Sequence, residues 1–151
     1  MIRLPARTVV ISILYDLSGR ILLQQRSDDA AYMPGRWAYF GGGVESGESV
    51  EQALIRETQE ELGYMLVRPV LLLEQAFDLN GQPAYMYVYL EEFCGDKGCL
   101  QLLEGKGWGW FGPDELLELG MLPRDLAIAE AAFTEINRLS GGLRPLMEQI
   151  A

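Results

Sequence analysis

The chain has 151 residues, 49% of them hydrophobic, and no histidine. That length suits a single domain over residues 1–151 that folds without a disulfide or structural metal, and the missing imidazole excludes histidine as a ligand or catalytic base. The formal net charge of −10 argues against a nucleic-acid polymer as partner, because such binding relies on Lys and Arg displacing counterions from phosphates.

Met1 to Val10 carries arginines and no long apolar run, so no signal peptide is expected. No stretch approaches the roughly 20 apolar residues of a membrane span, so no membrane partner is expected either. Arg7 to Tyr15 is rich in Val, Ile and Leu and reads as a buried strand. Asp16 to Gly19 is a turn, and Arg20 to Gln25 returns as a second strand of a hairpin. Arg26 follows it. This residue is either an exposed charge at a strand end or a phosphate clamp, since a guanidinium matches phosphate oxygens bidentately. Ser27 to Gly35 is a polar loop. In the next stretch Trp37 reads as packing, while Tyr39 and Phe40 are either core or a wall on which a base stacks. Gly41, Gly42 and Gly43 allow the backbone to approach a ligand closely. Val44-Glu45 is expected as a short strand, and Ser46 to Glu48 as a turn.

A helix follows. Ser49 with Gln52 three positions on forms a capping box, and Gly63 after Leu62 is a stop. A rotation of about 100° per residue puts Glu57, Glu60 and Glu61 on one face. Leu54, Ile55, Thr58 and Leu62 are expected to face a core. Like charges at these spacings destabilise a helix by a few tenths of a kcal/mol per pair. Arg56 can pair with Glu60, but one arginine cannot neutralise three glutamates. Either the face is simply solvated, or a divalent cation offsets the repulsion, and hard oxygen ligands suit Mg²⁺ or Mn²⁺.

Leu66 to Phe77 and Gln82 to Phe93 read as two long strands joined by an Asn80-Gly81 turn. Tyr85, Tyr87 and Tyr89 alternate with Met86, Val88 and Leu90, which suggests a central strand covered on both faces. Cys94 and Cys99 flank a turn. Two thiols alone fall short of the four ligands of a zinc site, and reduced thiols fit a cytoplasmic location. Cys99 to Leu103 is expected as a further strand. A tryptophan-rich strand and a short helix opened by Pro113 come next. Pro123 begins a helix through Leu139 with Leu126, Ala129, Phe133 and Ile136 on one side, ended by Gly141-Gly142. A last helical turn is expected before Ala151.

The stretch from Gly42 to Tyr64 resembles the signature of the Nudix hydrolase superfamily. Gly42, Glu48, Arg56, Glu57, Glu60, Glu61 and Gly63 fill its fixed positions in register. Thr58 and Tyr64 stand where an aliphatic residue is usual, and Phe40 where a proline is frequent. The resemblance implies an α/β fold, a Nudix-type α/β/α sandwich around a mixed β-sheet. It implies Mg²⁺ or Mn²⁺ held by Glu57, Glu60, Glu61 and the Gly42 carbonyl, with Arg56 supporting that set. Glu48 is read as pairing with Arg56. Arg26, Tyr39, Phe40, Gly41 and Gly42 would face the substrate. The loop at Glu104, before a Trp-aromatic strand, resembles a second feature of the family, and Lys106 stands where a second acid is common. Glu60 and Glu104 are both candidates for the general base.

The implied chemistry is hydrolysis of a diphosphate linkage in a nucleoside diphosphate joined to a group X. The sequence motifs of NADH-type, ADP-ribose and dinucleoside polyphosphate members are missing after Tyr64. By elimination the expected substrate is a nucleoside triphosphate, including oxidised forms, with ADP-ribose or nucleotide-sugar cleavage as the alternative. A nucleotide sensor without catalysis is the competing reading, and RNA decapping and a scaffold role are others. An intact acidic set disfavours the sensor. Many relatives are dimers, so the resemblance leaves a homodimer open.

Overall fold

A computed structural model describes residues 7–140. The order of elements is β1 (Thr8–Tyr15), β2 (Ile21–Gln25), β3 (Trp37–Ala38), β4 (Phe40–Gly43), α1 (Val50–Leu62), β5 (Val70–Leu79), β6 (Gln82–Glu92), β7 (Gly107–Phe111), α2 (Pro113–Leu116) and α3 (Pro123–Ser140). The strands form one mixed sheet in which β1 runs parallel to β6 and antiparallel to β2 and β4. Helix α1 covers one face and α3, with α2, covers the other. The expected α/β/α sandwich is the architecture found.

The strands at the centre are apolar on both sides because both sides are covered. Along β1, Val10 and Leu14 pack toward α1, while Ile13 and Tyr15 pack toward α3. Along β2, Leu22 faces α1 and its neighbours Ile21 and Leu23 face α3. Each such fully buried side chain contributes roughly 1.5–3 kcal/mol. Strand β6 lies between β1 and β5, so the alternation of its tyrosines with Met86, Val88 and Leu90 does mark a central strand. The β5–β6 hairpin turns at Asn80 and Gly81, both at positive φ (51° and 82°), as a two-residue turn of this type requires.

Strands β1 and β2 meet at Tyr15 opposite Ile21 and then part. The gap is filled by the chain that follows: β3 pairs with Gln24 and Gln25 of β2, and β4 pairs with Val9 to Ser12 of β1. The glycine run is therefore a strand wedged into the sheet, not a loop above it.

Three expected boundaries are corrected. Val44-Glu45 is not a strand, because the β4 ladder ends once the Val44 N–H donates to the Thr8 carbonyl at 2.9 Å. Strand β5 starts at Val70, since Pro69 has no N–H for a ladder and the N–H groups of Val67 and Arg68 donate to the Glu91 carboxylate instead. Cys99 to Leu103 is not a strand either. Asp96 caps a single 3-10 turn over Lys97–Cys99. The N–H groups of Gln101 and Leu103 then donate to the carbonyls of Leu62 and Glu61 at the end of α1. Both cysteines are exposed and free. The helix expected through Leu139 runs to Ser140; the Gly141-Gly142 stop and the last turn before Ala151 lie outside the described residues.

Candidate active site

Helix α1 begins and ends as its sequence dictates. The Ser49 hydroxyl accepts from the Gln52 N–H while the Gln52 side chain accepts from the Ser49 N–H, and Gly63 closes the helix at φ 62°. Ala53, Leu54, Thr58 and Leu62 are buried against the sheet. Ile55 is not part of that face. It is 37% exposed, because Leu54 takes the inward direction and the next residue is turned about 100° away.

The same rotation separates the three glutamates. Glu61 is 2% exposed, the Glu57 side chain is 15% exposed, and that of Glu60 is 53% exposed. The sheet lies under the Glu61 side of the arc, so Glu61 and Glu57 are carried inward and Glu60 is left in solvent. Glu61 accepts a hydrogen bond from the Gly41 N–H at 3.1 Å. Glu57 lies over Gly42, where a Cβ would come within 2.4 Å of its carboxylate. That contact explains the glycine. A Gly42→Ala protein is expected to melt within about 3 °C of the parent, because the end of a flexible side chain can give way, as surface-type changes usually cost under 0.5 kcal/mol. Its turnover is expected to fall at least tenfold, because the atom displaced is the Glu57 carboxylate; thermal melts and steady-state rates check both.

Arg56 organises the acids. Its Nε and Nη2 donate to Glu48 at 2.7 and 2.9 Å, and Nη2 also donates to the Gly43 carbonyl at 3.0 Å. Nη1 donates to Glu57 at 2.9 Å and to Glu60 at 3.3 Å. The bidentate bond to Arg56 holds the Glu48 carboxyl low, at about 2. Glu48 is thus the structural partner of Arg56, as read from the sequence.

The inward acids respond in the opposite direction. Burial pushes Glu61 up to about 9, only partly offset by the Gly41 N–H, and the charges of Glu104 and Glu57 add to the rise. Burial also raises Glu57 above the usual carboxylate range, against the pull of Arg56.

Glu57, Glu61 and Glu104 line one cavity of about 610 Å³, together with Arg26 and the glycines of β4. Glu104 is placed by its neighbours. The Leu103 N–H donates to the Glu61 backbone carbonyl, Gly105 takes φ +87° where a Cβ would sit 2.7 Å from the Gln25 carbonyl, and the Lys106 N–H donates to that carbonyl at 2.9 Å. The Lys106 ammonium pairs with Asp28 at 2.7 Å. Arg26 donates from Nε to the Tyr32 carbonyl at 2.6 Å, which holds its guanidinium along the cavity wall. Tyr39 is 7% exposed, and its hydroxyl donates to the Asp125 carbonyl at 2.5 Å. Phe40 borders the cavity, but its ring is 1% exposed in the core under α1, so it has no face to offer a base. Glu60 does not line the cavity.

Among the described residues, no three side chains converge tightly enough to cage a metal alone. The donor set still fits a hard cation. It consists of the carboxylate oxygens of Glu57, Glu61 and Glu104, beside a glycine wall that admits a second set of oxygens from a ligand.

A family model described as the NUDIX domain matches residues 5–133 of the chain. The chain belongs to the NUDIX family. It is 32% identical over 126 residues to a CTP pyrophosphohydrolase of Escherichia coli, covering 81% of this chain and 88% of that one. It is 49% identical over 61 residues to the nucleoside triphosphatase NudI of Escherichia coli, a match that spans 40% of this chain and 43% of NudI. The MutT protein of Methanosarcina mazei shares the fold at a TM-score of 0.71 and 23% identity, over 93% of this chain and 99% of that one. This member of the family is an α/β hydrolase in which the signature helix, the wedged β4 and the Glu104 loop meet at one cavity.

Sequence reasoning overlooked Arg124 and Asp125, which line the same cavity. The only signal was an acid in the first turn of α3, and such an acid is ordinarily explained by the helix dipole.

Proposed function

We propose that this Nudix-type hydrolase cleaves nucleoside triphosphates to the monophosphate and pyrophosphate, with Mg²⁺ or Mn²⁺ as cofactor. The observation that carries the reading is the burial of Glu57 and Glu61 in one cavity with Glu104 and Arg26, in a chain similar to a CTP pyrophosphohydrolase over most of its length. Glu61 and Glu104 would supply oxygen ligands for the cation, which would neutralise charge on the phosphates. Arg26 faces the same space and donates to phosphate oxygens.

Water attacks phosphorus, a P–O–P bridge breaks and pyrophosphate leaves. Of the carboxylates considered for the proton, Glu60 stands in solvent and Glu104 sits exposed at the rim. Glu57 has the attributes of a base: it lines the cavity, Arg56 orients it, and burial raises its proton affinity. Arg56 acts through Glu57 as a positioning residue.

The test is nucleoside monophosphate formation from a panel of nucleoside triphosphates, ADP-ribose and nucleotide sugars, with pyrophosphate as the second product only from triphosphates and a sugar phosphate from the others. Activity is expected with triphosphates and Mg²⁺, to vanish with EDTA, and to return when Mg²⁺ or Mn²⁺ is restored. Tight nucleotide binding without product at any metal concentration would favour the sensor reading instead.

A further inference from the structure

The connection between β6 and β7 forms no strand, yet it delivers Glu104 to the cavity. Among the described residues, the Glu104 carboxylate makes no hydrogen bond or ion pair of its own. Its position is therefore inherited from the backbone on either side. Before it, the Leu103 N–H is fixed on the Glu61 carbonyl. After it, the Lys106 N–H is fixed on the Gln25 carbonyl, next to Arg26.

The chain has two lysines, Lys97 and Lys106, and both belong to this connection. Each pairs with an aspartate at 2.7 Å. Lys97 reaches Asp16, whose side chain is 9% exposed, and its ammonium lies 4.2 Å from the centre of the Trp110 ring. That pair anchors the far end of the connection to the body of the sheet. The Lys106–Asp28 pair is of another kind. Both side chains are exposed, and an exposed pair adds little to global stability. It joins two loops 78 residues apart in sequence. Both loops line the cavity, through Ser27 and Ala30 on one side and Glu104 and Gly105 on the other. Lys106 is thus held at two points, its N–H before Arg26 and its ammonium after it.

We propose that Lys106 and Asp28 are positioning residues: their link holds Glu104 at the cation site. The inference rests on the metal-dependent reading above. A link and a mere electric field have different signatures. If only the field matters, removing the Lys106 charge strengthens cation binding, removing the Asp28 charge weakens it by a similar factor, and removing both changes nothing. If the link matters, removing both loosens Glu104 with no net change of charge.

Mn²⁺ binding to the nucleotide-free protein, followed by electron paramagnetic resonance, reads this without turnover. The double variant Lys106→Met with Asp28→Asn is expected to bind Mn²⁺ about two- to fivefold more weakly than the parent, the range that an exposed pair can supply. Its loss is expected to fall between those of the two single variants, because either one already breaks the link. Lys106→Arg, which keeps a donor for Asp28, is expected to stay within about twofold of the parent. Melting temperatures within about 3 °C of the parent confirm that the variants are folded. A folded double variant that binds Mn²⁺ as the parent does, or that loses more than either single variant, overturns the proposal. If the parent binds no Mn²⁺, the metal-dependent reading fails by itself. Amide hydrogen exchange then decides the positioning alone. The amides of residues 103 and 106 are expected to lose protection by about threefold in the double variant while α1 keeps its own, and equal protection overturns the proposal.

Discussion

Glu61→Gln is expected to lower turnover by two or more orders of magnitude while making the metal-free protein more stable at alkaline pH. Both effects follow from a carboxyl buried to 2% exposure whose proton affinity is raised to about 9. In the metal-free fold the group is favoured in its neutral form, whereas in the unfolded chain it ionises near the ordinary carboxylate value. The stability this group lends is complete below the unfolded value and is lost as pH rises from there through about 9. Glutamine keeps an oxygen for the Gly41 N–H and has no charge to bury, so it escapes that loss. Melts in EDTA should therefore show the variant pulling ahead of the parent between pH 5 and 9, and Mg²⁺ should raise the parent's melting temperature more than the variant's. Equal melting curves across that range would mean Glu61 is not confined as described. Retention of most activity in the folded variant would remove it from the site.

Glu57→Gln should cost at least two orders of magnitude in kcat, the scale set by loss of a general base, about 10²–10⁴. The fold should survive, because an amide oxygen can still accept from Arg56 Nη1. Since the base must be deprotonated, kcat in the parent should climb with pH as Glu57 ionises, and the residual rate of the variant should lose that limb. A folded variant that keeps the parent's pH profile would move the base elsewhere. KM should change little if Glu57 acts only in the transition state.

Much of this was legible because the relevant physics is local. The caps of α1, the Asn80-Gly81 turn and the two-faced strands are each set by a few neighbouring residues, and the structure places them where the sequence does. Two of the signature helix's acids, Glu57 and Glu61, line the cavity that the structure forms. What could not be read is what depends on parity and on distant partners. Phe40 and Tyr39 are adjacent, so they must face opposite sides of the sheet, but only the pairing of Ser12 with Phe40 shows which one enters the core under α1. Leu54 and Ile55 pose the same question on the helix. Cys99 to Leu103 has the composition of a strand, yet the N–H groups of Gln101 and Leu103 are taken by the end of α1 and those of Cys99 and Leu100 by the preceding turn. The three glutamates share an arc in sequence, and only the position of the sheet decides that one is buried and another is not. Arg124 and Asp125 become notable only when β5 brings Phe77 beneath them.

The grip of Arg56 on Glu48, Glu57, Glu60 and the Gly43 carbonyl has a genetic consequence. Four positions spread over the turn, the wedge strand and the helix answer to a single planar cation. A lone change at Arg56 strands several partners at once, so losses from altering any two of these positions together should fall well short of the sum. The interval of eight residues between Glu48 and Arg56 is then a molecular ruler: an insertion or deletion inside it breaks the clasp even if every residue of the motif is retained.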